Sequence, residues 1–172
     1  MPDDRLTRAE GLIRSIPDYP EPGVLFRDIT PLLADADALR TTIDAMIEPF
    51  AGTFDVVAGI EARGFLLAGA VAIAAGVGLV PIRKAGKLPR PAASVDYALE
   101  YGTATIEAHD DIRPGMRLLL VDDVLATGGT LQAAHALVAE LGGLVVGTSV
   151  LMELEALGGR AVVGDVHTVF RA

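Results

Sequence analysis

At 172 residues, with 51% apolar residues and no cysteine, the chain holds about one domain's worth of sequence and can bury its own core. Disulfides, thiolate metal sites and thiol nucleophiles are excluded together. A formal net charge of −9 argues against nucleic acid as a partner, because a phosphate backbone calls for a basic face.

The charged start, MPDDRLTRAEG, has no apolar run of the kind a secretory signal needs, so a cytoplasmic location is expected. Helical spacing over DRLTRAEGLIRSI (4–16) and ADALRTTIDAMIEPF (36–50) predicts two helices. FDVVAGI (54–60) is a short β-branched run ending in glycine. The next stretch, Gly64 to Ile82, runs 19 residues without a charge, about bilayer length. Its four glycines, five alanines and Pro81 instead predict a buried helix, a turn at GVG (76–78) and a buried strand, LVPI, and no membrane contact. A Pro/Gly/Lys segment (84–94) follows. GKLPRPAASVDYA (86–98) suits a flexible closing lid. TATIEA (103–108) alternates like a half-exposed strand, MRLLLVDD (116–123) is a continuous apolar strand, TLQAAHALVAEL (130–141) a helix and LVVGTSVLMEL (144–154) another buried strand. Buried strands alternating with helices indicate an α/β fold with a mostly parallel central sheet flanked by helices, in one domain.

In such sheets ligands bind beyond the carboxyl ends of strands, where the next helix starts. VDDVLATGGT (121–130) sits at one such end. The turn from Ala126 through Thr127, Gly128, Gly129 and Thr130 lets several backbone N–H groups converge at a helix N-terminus, which suits a phosphate monoester. A bare glycine turn ordinarily just caps a helix, but Asp122 and Asp123 directly before it could accept hydrogen bonds from two ribose hydroxyls. No lysine lies in the turn, so it is not a Walker loop. The three histidines, His109, His135 and His167, are dispersed, and no cluster has the spacing of a protein metal cage.

LLLVDDVLATGGT (118–130) resembles the phosphoribosyl-diphosphate (PRPP) binding motif of type I phosphoribosyltransferases. PDYPEPGVLFRDITPLL (17–33), GIEARGF (59–65), IRKAGKLP (82–89), YALEYGTATIE (97–107) and LMELEALGGR (151–160) resemble, in the same order, segments of the adenine phosphoribosyltransferase family. The resemblance spans nearly the whole chain. It implies a type I phosphoribosyltransferase fold with a base-binding hood over 1–34 and a catalytic loop over 84–102, and formation of AMP and pyrophosphate from adenine and PRPP with Mg²⁺ in a homodimer.

The resemblance also implies the site residues. Glu61, Ala62 and Arg63, with Arg83, Lys84 and Lys87, would hold the pyrophosphate, some of the cations reaching a neighbouring subunit. Ala62 stands where many relatives carry serine. Asp122 and Asp123 would hold the ribose, and residues 126–130 the 5′-phosphate. Glu100 would move the proton at adenine N7, with Tyr101 closing the site. Phe26 would pack on adenine, the main chain of Leu25 and Arg27 would read its edge, and Leu154 would close the other face. Mg²⁺ would be held mainly by substrate. Two rivals share the PRPP motif: a transferase for another base, and a PRPP-sensing regulator. VLFRDI and LEYG speak against the first, and Glu100 with the acidic charge against the second.

Overall fold

The computed structural model describes residues 4–99 and 102–172, so the expected proton-transfer pair, Glu100 and Tyr101, lies outside the described residues. The chain forms two compact units, Met1–Ala45 and Met46–Ala172.

In the first unit the helix expected over 4–16 ends early. Helix α1 covers Asp4–Glu10, and strand β1 takes Arg14–Pro17. Gly11 is a poor helix interior residue, and Pro17 biases Ile16 towards extended backbone, so the apolar spacing of this short run is satisfied as strand. Strand β2, Leu25–Asp28, pairs antiparallel with β1, Ile16 opposite Phe26. Helix α2, Thr30–Ala34, starts where Asp28 Oδ1 accepts from the Thr30 N–H at 2.9 Å, and helix α3 covers Ala36–Ile47. Between them, Asp35 accepts from the Ala38 N–H at 2.9 Å and from both terminal nitrogens of Arg8. That pair ties α1 to the α2–α3 joint within the first unit.

The second unit contains, in order, β3 (Val56–Ile60), α4 (Gly64–Ala75), β4 (Gly78–Lys84), β5 (Ala93–Ala98), β6 (Thr103–Ala108), β7 (Arg117–Leu125), α5 (Gly129–Glu140), β8 (Leu144–Glu153), α6 (Arg160–Val163) and β9 (His167–Arg171). The sheet order is β5-β6-β4-β3-β7-β8-β9. β4, β3, β7, β8 and β9 run parallel, and β6 pairs antiparallel with both β4 and β5. The expectation of a mostly parallel sheet therefore holds. Every residue of β3 is buried, as are Leu118 to Asp123 of β7, because helices cover the central strands on both faces.

The uncharged stretch 64–82 divides as expected: α4 ends at Gly76 in the left-handed conformation (φ 70°) and β4 follows. Among the described residues no helix is long and apolar enough to cross a membrane. Two elements differ from expectation. Residues 93–98, read as part of a flexible lid, form β5, paired with β6 along its whole length from Ala93–Ala108 to Ala98–Thr103. Ala93, Val95 and Tyr97 alternate towards the core, which fixes the segment as strand. β9 was not expected; it is a five-residue edge strand in which only Phe170 is buried, too short and polar for its pattern to stand out.

Candidate active site

Because β3 pairs in parallel with both β4 and β7, the carboxyl ends of these strands lie side by side. A cleft of about 290 Å³ opens there. Its apolar floor is Ile60, Ile82 and Ile106; Glu61, Lys84, Asp122, Asp123 and the turn Ala126–Thr130 supply the polar lining.

The turn into α5 is one that only glycine can close. Gly128 has φ 88°, and a Cβ there would lie 2.7 Å from the Gly159 carbonyl oxygen and 2.9 Å from the Val163 side chain, so only glycine closes it. Gly128 is also the N-cap of α5 and brings no side-chain oxygen, and the first helical bond runs from the Gln132 N–H to the Gly128 carbonyl. The N–H groups of Gly129, Thr130 and Leu131 precede that bond at the positive end of the helix dipole.

The two acids before the turn are not equivalent. Asp122 and Asp123 are 7% and 8% exposed. The Asp123 N–H donates to Asp122 Oδ1 at 2.8 Å, while Asp123 Oδ2 lies 2.5 Å from Arg63 Nη2 as an ion pair without hydrogen-bond geometry. Burial, and then the charge of Asp123, push the Asp122 carboxyl well above the usual carboxylate range. A folded-state pKa raised above the unfolded value means that Asp122 contributes stability at low pH and loses it as pH rises through that range. Asp122→Asn is therefore expected to raise the melting temperature at pH 7, by about 2–4 °C for each kcal/mol relieved. Thermal unfolding checks it; an unchanged or lower melting temperature would show that Asp122 costs the fold nothing.

The cations converge on a second carboxylate. Glu61, at the end of β3, has a side chain only 6% exposed. It accepts from Lys87 Nζ at 2.5 Å, from the Lys84 backbone N–H at 2.9 Å and from Arg83 Nε at 3.4 Å. Burial pushes the Glu61 carboxyl up, but these bonds outweigh it and hold the group down at about 2. Arg83 also lies over the Phe65 ring, 5.9 Å from its centroid. Of the three cations assigned to the diphosphate from the 83–87 segment, Lys84 lines the cleft, while Arg83 and Lys87 rest on Glu61. Ala62 and Arg63 connect the end of β3 to α4, where a Cβ on Gly64 would lie 2.7 Å from Asp122 Oδ1. The Glu61–Ala62 peptide bond is cis.

A phosphoribosyl transferase domain model matches residues 28–165, well over half of the chain. The chain is 56% identical over 169 residues to the adenine phosphoribosyltransferase of Thermobifida fusca, covering 97% of this chain and 96% of the relative. The chain belongs to the adenine phosphoribosyltransferase family. Among solved structures, the adenine phosphoribosyltransferase of Rhodothermus marinus matches with a TM-score of 0.93 at 48% identity, over 98% of this chain and 99% of that one. The Saccharomyces cerevisiae adenine phosphoribosyltransferase, solved with adenine and an imino-altritol bisphosphate, matches with a TM-score of 0.88 at 34% identity, over 96% and 97%. The fold is that of type I phosphoribosyltransferases, and membership makes the chain a glycosyltransferase-type enzyme.

Sequence reasoning missed part of this cleft. Tyr97 and Leu99 line the cleft from the end of β5, and a Cβ on Gly129 would lie 3.6 Å from the Tyr97 ring. The alternation in ASVDYA carried that signal, but the glycine and prolines just before it favoured a loop. The expected adenine residues fall in two places. Leu25, Phe26 and Arg27 are β2 in the first unit, where Tyr19 meets the Phe26 ring edge-on at 5.2 Å. Leu154 is in the second unit, its N–H bonded to the Leu125 carbonyl at 2.9 Å.

Proposed function

We propose that this chain transfers the 5-phosphoribosyl group from PRPP to adenine, giving AMP and pyrophosphate in purine salvage. The observation that carries the reading is the run of two buried acids into a helix N-terminus capped by Gly128 alone. The turn takes the 5′-phosphate, and the acids before it take the ribose hydroxyls. Leu25 and Arg27, two apart on β2, present their backbone groups to the same strand edge. Such a pair can read the N1 and N6 edge of adenine, whereas guanine would leave a buried polar group unmatched at a cost of about 1–3 kcal/mol.

In the reaction the C1′–diphosphate bond breaks with its electron pair leaving on diphosphate. Positive charge builds on the ribose, N9 of adenine bonds to C1′, and the proton the base sheds passes to Glu100. Arg63, Lys84 and the segment behind it stabilise the departing charge. Mg²⁺ would fit as an ion brought by the substrate, with Asp122 and Asp123 supplying hard oxygen groups in the same cleft. When bound it would neutralise diphosphate charge. We place the reaction in the cytoplasm.

A homodimer accords with α4, which has no charged residue. Leu66 is 59% exposed and Ile73 85% exposed on it, a face suited to a second copy of the chain. Ile73→Asp is expected to convert the dimer to monomer in sedimentation velocity; a parent protein already monomeric at assay concentration would refute the assembly.

Incubation with PRPP, Mg²⁺ and each base in turn tests the function. Adenine is expected to react far faster than guanine, hypoxanthine or orotate. Equal turnover of any of these would overturn the assignment of the base.

A further inference from the structure

The Glu61 carboxylate is almost fully enclosed, yet it lines the PRPP cleft and gathers three donors from one short segment. Two of them, Lys87 Nζ and Arg83 Nε, belong to side chains that the proposed reaction assigns to the diphosphate. The third, the Lys84 N–H, fixes the end of β4 from which the Lys84 side chain enters the cleft.

We propose that Glu61 is a positioning residue that sets the enzyme's affinity for the diphosphate by competing with it for Lys87 and Arg83. The inference rests on the reading of this cleft as the PRPP site. A cation can answer Glu61 or a diphosphate oxygen at full strength, but not both, so each cation recruited by the ligand must first weaken its bond to Glu61. The pairing therefore has two consequences. It keeps the segment in register with the cleft, through a bond to backbone that survives when the lysine leaves. It also lowers the hold on pyrophosphate, which must depart before the next turnover. With Lys87 and Arg83 on it, the carboxyl is held at about 2 and is charged at working pH.

Glu61→Gln separates these consequences, because the amide oxygen can still accept from the Lys84 N–H while the charge that holds Lys87 and Arg83 is gone. Calorimetric titration with inorganic pyrophosphate is expected to show binding about threefold to tenfold tighter than in the parent, the range of an ion pair or two of this exposure. With PRPP and adenine, KM for PRPP and kcat are both expected to fall, kcat because pyrophosphate leaves more slowly, with the single-turnover rate preserved. In a Lys87→Met background the gain from Glu61→Gln is expected to shrink, since the released cation is no longer there. Equal or weaker pyrophosphate binding by a folded Glu61→Gln protein would overturn the inference and leave Glu61 a purely structural tether. Should Glu61→Gln fail to fold, Lys87→Met decides alone: a loss of pyrophosphate affinity supports the competition, and no loss removes Lys87 from it. A parent protein that does not bind pyrophosphate would instead overturn the reading of the cleft itself.

Discussion

Replacing Glu100 by glutamine is expected to lower kcat by about 10²-fold or more while PRPP affinity changes little. Adenine must shed a proton as its glycosidic bond forms, and a glutamine keeps the reach and hydrogen-bonding shape of the acid but cannot take that proton. The phosphate and ribose contacts assigned to PRPP lie on β7, its following turn and the ends of β3 and β4, none of which Glu100 belongs to. Glu100 follows Leu99, which lines the cleft, and precedes Gly102, whose carbonyl accepts from the Leu99 N–H at 2.9 Å. The segment on either side is thus anchored at the mouth of the site. Single-turnover measurement keeps product release from masking the chemical step. Unchanged single-turnover rates would remove Glu100 from the proton transfer and turn attention to Tyr101 or water.

How much of this was legible in the chain depends on the range of the interactions concerned. The central strands were readable because a strand buried on both faces is apolar along its buried length, as VVAGI (56–60) and LLLV (118–121) are, and such runs leave few alternatives. The candidate site stood out at VDDVLATGGT because its acids, glycines and hydroxyls are contiguous in the sequence. The edge of the sheet was not. β5 is strand because β6 pairs with it and the core receives Val95 and Tyr97, partners that a reading of GKLPRPAASVDYA does not include. The early end of α1 is likewise settled by the β1–β2 pairing. Electrostatic partners were the least legible of all. Arg63, Arg83 and Lys87 read as ligands of an anionic substrate, yet in the fold Arg63 meets Asp123 and the other two meet Glu61. Residues 22 and 26 positions apart come together there because β3 and β4 are adjacent parallel strands. Packing likewise makes Asp122 a raised acid: the sequence shows two neighbouring aspartates, but only the placement of β7 between β3 and β8 buries Asp122 with the charge of Asp123 beside it.

The second large effect is expected at Gly128. Alanine there meets two obstacles at once: the left-handed backbone, and a Cβ only 2.7 Å from the Gly159 carbonyl oxygen. A strained conformation of this kind costs on the order of 1–3 kcal/mol, and the carbonyl belongs to backbone that cannot swing aside as a side chain would. The turn must therefore open, which takes the N–H groups at the start of α5 out of convergence. We expect kcat/KM for PRPP to fall by about 10²-fold or more, chiefly through KM, because a 1 Å misplacement of positioning groups is enough for losses of that size. Gly158→Ala is the matched control. Its φ of 65° imposes a similar backbone strain, but its Cβ would meet nothing within 4 Å, so it should lower the melting temperature through the backbone alone and leave PRPP use almost intact. The comparison separates loss of stability from loss of the phosphate site. If Gly128→Ala used PRPP as well as Gly158→Ala does, the 5′-phosphate would have to be held elsewhere, and the acids of β7 would lose the neighbour that gives them their role.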